Sequence, residues 1–527
     1  MADTTVTPGH FKVAGREFAA VKWWNLKNLR GTYLLLFFVV LTSATNGYDG
    51  SMVNGLLSLK QFKEYMHNPG GSIKGLFSGI MFLGSLLALP ITPYIADGLG
   101  RRWGICIGSS IMIFAVVLQS ASVNFQMFIA ARFFLGFGVA IAHGAAPLLI
   151  TELCHPQHRA IFTTIYNTTW YIGSIIAAWL TFGTNHIAGQ WSWRVPSIVQ
   201  ALPSLLQISC VWFVPESPRW YISKGKPERA LQILAHVHAE GNAEDEVVQL
   251  EYEEIKETLA IEREAESTGW LELFKTKGNR HRLLILVSAG LFSQWSGNGL
   301  VSYYITGVLD GIGITDPNTQ LVINGCLNIW NCIVATTMCF FVDKVGRRPL
   351  FLISTGGMML CFIVWTICSE RYDATKIKGN GSAVVAMIYL YYTSYNVAWS
   401  GLLVGYTVEI LPFSIRAKGM CYMFAFVDIA LFFNTYVNPI ALNHIKWRYY
   451  IVYCVWLAAE LIFVYFFYIE TCNTPLEEIA KHFDGDAALI GGFAATEKGR
   501  ILEQEIHAKD HKEATTNVHE HEEKVGL

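Results

Sequence analysis

The sequence predicts an all-α membrane protein with twelve transmembrane helices arranged as two six-helix halves. Composition is the first observation behind this. Of 527 residues, 52% are apolar and only 15% are charged, where an average soluble domain is about a quarter charged. The second is that the apolar residues gather in twelve runs, each near the roughly 20 residues that cross a bilayer as a helix. The third is that short charged motifs of the first six runs recur, in order, among the second six. A mean hydropathy of +0.35 agrees.

The elements follow in order. Residues 1–30 are polar and basic, with Lys12, Arg16, Lys22, Lys27 and Arg30, and lack the apolar core and cleavage site of a signal peptide. The first half, residues 31–214, carries runs at 33–57, 76–96, 105–121, 125–150, 161–182 and 195–214. A polar linker at 215–281 separates it from the second half, 282–469. That half has runs at 283–309, 321–342, 350–368, 383–411, 420–442 and 449–468. Within the linker, Ala230, Leu231, Ile233, Leu234 and Val237, then Val247, Val248, Leu250, Ile255 and Leu259, include pairs three and four residues apart. That spacing predicts short amphipathic helices against the membrane face. The tail, 470–527, is polar and holds His507, His511, His519 and His521 without metal-ligand spacing.

Short loops with Arg101 and Arg102, Arg159, Lys344 with Arg347 and Arg348, and Arg416 with Lys418 share one side with both termini. The positive-inside rule makes that side cytosolic, in a multi-pass protein expected at the plasma membrane. Lys60, Lys63 and Lys74 run against the rule on the other side but are outvoted. Asn380, with Gly381 and Ser382, is a glycosylation sequon in an outer loop. A net charge of −2 gives no basic field for nucleic acid. The 11 cysteines are scattered among apolar runs and read as reduced packing thiols. Nucleotide-binding, hydrolase and zinc-ligand patterns are absent, so the chain reads as no enzyme, with neither cofactor nor metal.

The internal repeat is specific. Asp97, Gly100, Arg101 and Arg102 return 246 positions later as Asp343, Gly346, Arg347 and Arg348. Glu152 and Arg159 return 257 positions later as Glu409 and Arg416, and Glu216 is echoed by Glu470. Parallel six-helix repeats are an architecture of secondary transporters, which bind substrate near the midplane between the halves.

These motifs resemble the sugar porter family of the major facilitator superfamily. Besides the repeat they include Arg132 with Gly136 and Gly138, Pro215 to Arg219, Gln294, Tyr303, Tyr304, and Leu476 with Glu477 and Glu478. A finer resemblance is to fungal lactose- and cellodextrin-type permeases. It rests on Asn46 to Gly50, Tyr166, Asn167 and Trp170, Gln294 to Gly299, Asn438 to Leu442 and Trp447 to Tyr453. The family implies the major facilitator fold, a sugar as substrate and alternating access. Asn167 stands where hexose carriers have glutamine on the fifth helix, and Ser293 replaces the first glutamine of the seventh-helix pair. The tenth helix lacks their proline-rich segment, although Trp399 lies nearby. Asn331 matches the family's eighth-helix asparagine.

Asp49 is an acid inside an apolar run, where a carboxylate costs roughly 2.5–3.5 kcal/mol to insert unless it faces a cavity or a partner. Protonation removes that cost, so Asp49 reads as the proton carrier and Arg132 as its partner. In the resemblance, proton-coupled members have an acid here. The alternative is a cap at a glycine-broken helix. Sugar recognition needs amides and hydroxyls for paired contacts and aromatic faces for the apolar side of the ring. Asn167, Gln294, Asn298 and Asn331 supply amides, and Trp170, Tyr303, Tyr304 and Trp399 supply faces. Asp428, a second buried acid, is a further candidate contact. His143 reads as a packing residue. Arg101, Arg102, Glu152, Arg159, Asp343, Arg347, Arg348, Glu409 and Arg416 read as a cytosolic gate, in which ion pairs bridging the halves would close that side and breaking them would open it. The reading is import of a disaccharide of the lactose or cellobiose type, or a hexose, by proton symport. Its partners are a small sugar, a proton and the lipid bilayer. The alternatives are a sugar sensor on the same fold, or a facilitator of another polyhydroxy solute.

Overall fold

The computed structural model describes residues 10–13, 16–67, 71–265, 270–339, 341, 345–471, 479, 482 and 483. Twelve spans cross in sequence. The first half comprises Lys27–Ser58, the bent pair Gly71–Ala88 and Thr92–Gly98, Arg101–Ser120, Phe125–Leu153, Arg159–Thr184 and Trp191–Phe213. The second comprises Lys277–Trp295 with Asn298–Gly311, Pro317–Cys339, Arg347–Thr375, Lys378–Ala398 with Leu402–Ile410, Phe413–Ile445 and Tyr449–Phe467. The basic N-terminal stretch, read from sequence only as a tail, carries a short antiparallel hairpin, His10–Val13 with Arg16–Ala19.

Three spans are interrupted, each for a local reason. The second bends by 49° between its two helices, where Pro90 and Pro93 remove backbone donors. The seventh breaks at Gly297, whose φ of 108° is a left-handed conformation that glycine tolerates best. The tenth breaks around Ser400 and Gly401. Irregular backbone at membrane depth survives only inside protein or beside a polar cavity, and Ser400 and Gly401 do line a cavity. Among the described residues, the second span qualifies as a crossing helix only as its bent pair, and the fifth, seventh and tenth spans contain no helix long and apolar enough to cross by itself. They fall short because they carry much of the polar lining described below.

The helix-capping contacts of the internal repeat recur in both halves on the side that holds both termini. Gly100 and Gly346 both take positive φ, ending the loops that lead into the third and ninth spans. The Glu216 carboxylate accepts from the backbone N–H of Arg101 and Arg102, each at 3.1 Å, and from that of Ser217. Glu470 accepts likewise from Arg347 at 2.9 Å, Arg348 at 3.2 Å and Thr471. Each acid thereby satisfies orphan donors at a helix N-terminus and meets its positive dipole end. The following arginines match too: Arg102 donates to the Trp212 carbonyl and Arg348 to that of Tyr465.

The linker carries helices Pro227–His238 and Glu246–Ala265. It docks on the first half through His238, which bonds the Leu153 carbonyl at the end of the fourth span and, through its other ring nitrogen, Glu251.

Candidate functional site

A cavity of about 390 Å³ lies between the halves. On the side away from the termini it is shut. There Met52, Val53 and Leu56 of the first span share one apolar cluster with Tyr304 and Leu321 of the second half. The Asn54 amide donates to the Ser302 carbonyl, and Asn185 donates to Asn318 at 2.9 Å. Toward the termini the lining runs through Ser43 and Leu403 to Val404, which is 45% exposed. The cavity therefore opens on the terminal side.

One wall holds an ion pair. Arg132 Nη1 lies 2.5 Å from Asp49 Oδ1, and both side chains are 2% exposed. The same Asp49 oxygen accepts from the Gln200 amide at 2.8 Å, and Gln200 in turn accepts from Gln119 at 3.0 Å. The guanidinium also sits 5.6 Å from the centre of the Phe77 ring. A buried charge pair needs such extra bonds to offset desolvation. Asp49 and Arg132 both line the cavity, so the acid has a partner and a polar route at once.

The amides and rings expected from the sequence collect here. Asn167, Trp170, Gln294, Asn298, Asn331 and Trp399 all line the cavity. Asn298 donates to Gln294 at 3.3 Å and to Tyr395 Oη at 3.0 Å. Asn331 accepts from Asn396 at 3.1 Å, and the Trp399 indole donates to Thr355. Sequence reading missed Asn46, Tyr171, Ser174, Asn328, Tyr392 and Asn396, which also line it. Several of these cross between the halves. Tyr171 Oη donates to Asn396 at 2.9 Å, and Ser174 donates to Asn328, which reaches Ser51. His143, read as packing, faces the cavity and bonds the Tyr166 hydroxyl at 2.7 Å. Gln200 was also missed; a lone amide in an apolar run gave no sign that it completes the Asp49 site.

One expectation needs correction. Asp428 does not line the cavity; it accepts from Ser85 of the second span at 2.8 Å. The arginine–glutamate pairs of the gate lie within the halves. Arg101 pairs with Glu152 at 3.0 Å and Arg347 with Glu409 at 3.0 Å. Arg159 reaches Glu251 of the linker at 2.9 Å, and Arg416 donates to the Leu411 carbonyl at 3.2 Å. The physical reason is the open terminal side, which holds the two sets apart. Asp343 lies outside the described residues, as do the tail histidines His507, His511, His519 and His521. Asn380 lies in the first turn of the tenth span, on the side away from the termini, with its amide on Thr375.

At the linker contact, burial pushes the Glu251 carboxyl up, but His238 and Arg159 outweigh it, and the net displacement is downward. Burial, helped by the neighbouring His238, pushes His155 down to about 3.

A polar cavity shut at one end and reachable from the other, with a buried acid on its wall, is suited to carrying a hydrated solute rather than to transforming it. The family model for sugar (and other) transporters matches residues 35–483. An MFS-type transporter of Aspergillus oryzae, oryC, is 30% identical over 480 residues, covering 86% of this chain and 87% of that protein. A high-affinity glucose transporter of Kluyveromyces lactis is 28% identical, covering 85% and 84%. A probable quinate permease of Aspergillus flavus is 26% identical, covering 86% and 88%. The inward-open structure of the xylose transporter XylE from E. coli superposes with a TM-score of 0.72. It is 20% identical and covers 86% of this chain and 100% of that one. At that identity the likeness bears on the fold.

Proposed function

Because this chain belongs to the sugar (and other) transporter family of major facilitator proteins, we propose that it imports a disaccharide of the lactose or cellobiose type, or a hexose, together with a proton. The termini face the cytosol of a plasma-membrane protein in this reading, and the conformation described is the one open inward.

The observation that carries it is the placement of the Asp49–Arg132 pair on the wall of an amide- and aromatic-lined cavity. Sugar hydroxyls exchange their water for Gln294, Asn298, Asn331 and Asn167, and a ring face rests on Trp170. When the halves rock outward, Arg132 withdraws, and the uncompensated Asp49 carboxylate takes up a proton from outside. Returning inward, Arg132 closes on Asp49 and expels the proton to the cytosolic side. The terminal-side arginines and glutamates exchange partners as that side shuts.

The substrate class is tested by uptake of labelled lactose, cellobiose, maltose, sucrose, glucose and xylose into cells lacking their own sugar carriers. Saturable entry of a disaccharide, competed by its close analogues and weakened by Asn298→Ala, is the expected outcome. Entry of none of the six, with the protein at the cell surface, would overturn the sugar assignment.

A further inference from the structure

The second and eleventh spans form a seam between the halves, and its two ends differ. Away from the termini the backbones touch: a Cβ on Gly75 would lie 2.6 Å from the Tyr436 carbonyl oxygen, and one on Gly79 would lie 2.9 Å from the Thr435 hydroxyl. One turn beyond the cavity-lining Phe82 and Leu431, toward the termini, the seam becomes polar. There the Ser85 hydroxyl of the second span donates to Asp428 Oδ2 of the eleventh at 2.8 Å.

We propose that Asp428 is a second proton-binding site, separate from the Asp49–Arg132 pair, whose ionised form ties the second span to the eleventh through Ser85. The two acids differ in what compensates them. Asp49 has a guanidinium at 2.5 Å and a glutamine amide. Asp428 has no cation within ion-pair distance among the described residues, and its hydrogen-bond donor is a single neutral hydroxyl. The groups that face it from neighbouring spans are Ser85 on the second and the Tyr303 phenol on the seventh. Asp49, Arg132 and Tyr304 act electrostatically on the same phenol. A carboxylate at membrane depth with one neutral donor and no counter-charge is the group for which taking a proton removes most of the desolvation cost. Protonation is a simple association, H⁺ joining one carboxylate oxygen. The neutral acid is then a far weaker acceptor for Ser85, so the polar end of the seam loosens while the glycine end stays in contact.

The proposal goes beyond coupling at Asp49 and is read without any sugar. The full chain, purified in lipid nanodiscs, is titrated while the carboxylic-acid C=O stretch is followed by infrared spectroscopy. Expected is a band present at low pH that fades as pH rises, kept in Asp49→Asn and lost in Asp428→Asn. In Ser85→Ala the same band should persist to higher pH, because the hydroxyl that favours the charged form is gone. Ser85→Ala keeps the test intact should Asp428→Asn fold poorly. A titrating band unchanged in both Asp428→Asn and Ser85→Ala, or no titrating band in the wild type, would overturn the proposal. Failure of sugar-evoked proton uptake alongside a band that behaves as expected would sink the coupling reading and leave this site standing.

Discussion

Removing Arg132 while leaving Asp49 strands a carboxylate that is 2% exposed with only the Gln200 amide bonded to it. Arg132→Leu keeps most of the side-chain volume and deletes the charge. Breaking one partner of a buried ion pair costs about 3–5 kcal/mol, because the other charge stays buried and unpaired. Asp49→Asn strands the guanidinium instead, whose remaining contacts are Met81 sulfur and the Phe77 ring, and should cost a similar amount. The double variant buries neither charge, so its loss should fall well below the sum of the singles, with a coupling energy of about 2–3 kcal/mol. Resistance to denaturant in one detergent at one pH, for all four proteins, measures this. Lowering the pH should rescue Arg132→Leu selectively, since protonating Asp49 removes the stranded charge. Single losses that add to within about 0.5 kcal/mol of the double would refute the reasoning, because independent sites add in that way.

The structure makes further predictions. Glu216→Ala leaves three buried backbone N–H groups without acceptors, two of them opening the third span; since hydrogen bonds to charged groups contribute about 1.5–3 kcal/mol, surface expression and thermal midpoint should both fall. Glu470→Ala should produce the same defect in the second half, and a normal melt in either variant would contradict the capping role. Gly297→Ala forces a Cβ onto the Phe362 ring, 2.5 Å away, at a φ that costs L-residues roughly 1–2 kcal/mol. It should lower stability and displace Asn298, raising the KM for sugar uptake. Glu251 is held below the usual carboxylate value of 4.5 in the folded chain, so its contribution to linker docking is present above that value and is lost as pH falls through the lower, folded one. Protease cutting of the linker should therefore stay constant at neutral pH, rise only in acid, and lose that acid dependence in Glu251→Gln.

The twelve spans were legible because hydrocarbon length sets a run of apolar residues that few soluble helices match. The repeat was legible because Gly100 and Gly346, with the acids that cap the helices after them, need particular residues rather than general hydrophobicity. Which face of each span meets the cavity was harder to read. The first span buries residues on every side, among them Thr42, Ser43, Tyr48, Asp49 and Asn54, so no apolar stripe gives its rotation. Asn46, Asn328 and Asn396 were missed for that reason: an amide in an apolar run reads the same whether it faces a neighbour or a cavity. Gln200 escaped because its role depends on where Asp49 lies, 151 residues earlier. Asp428 drew attention as an intramembrane acid but was read as a candidate sugar contact, since nothing in the sequence pairs the eleventh span with Ser85. The terminal-side ion pairs read as a gate whose bridging pairs close that side and whose breaking opens it. In the conformation open on that side they close within each half.

The most direct test of the account is proton movement evoked by a transported sugar in cells without their own carriers, comparing wild type with Asp49→Asn. The account predicts that adding the sugar makes the medium around wild-type cells more alkaline. It also predicts that Asp49→Asn loses this response while still reaching the surface and binding the sugar. Sugar entry in wild type with no proton movement, or a proton signal untouched in Asp49→Asn, would contradict it.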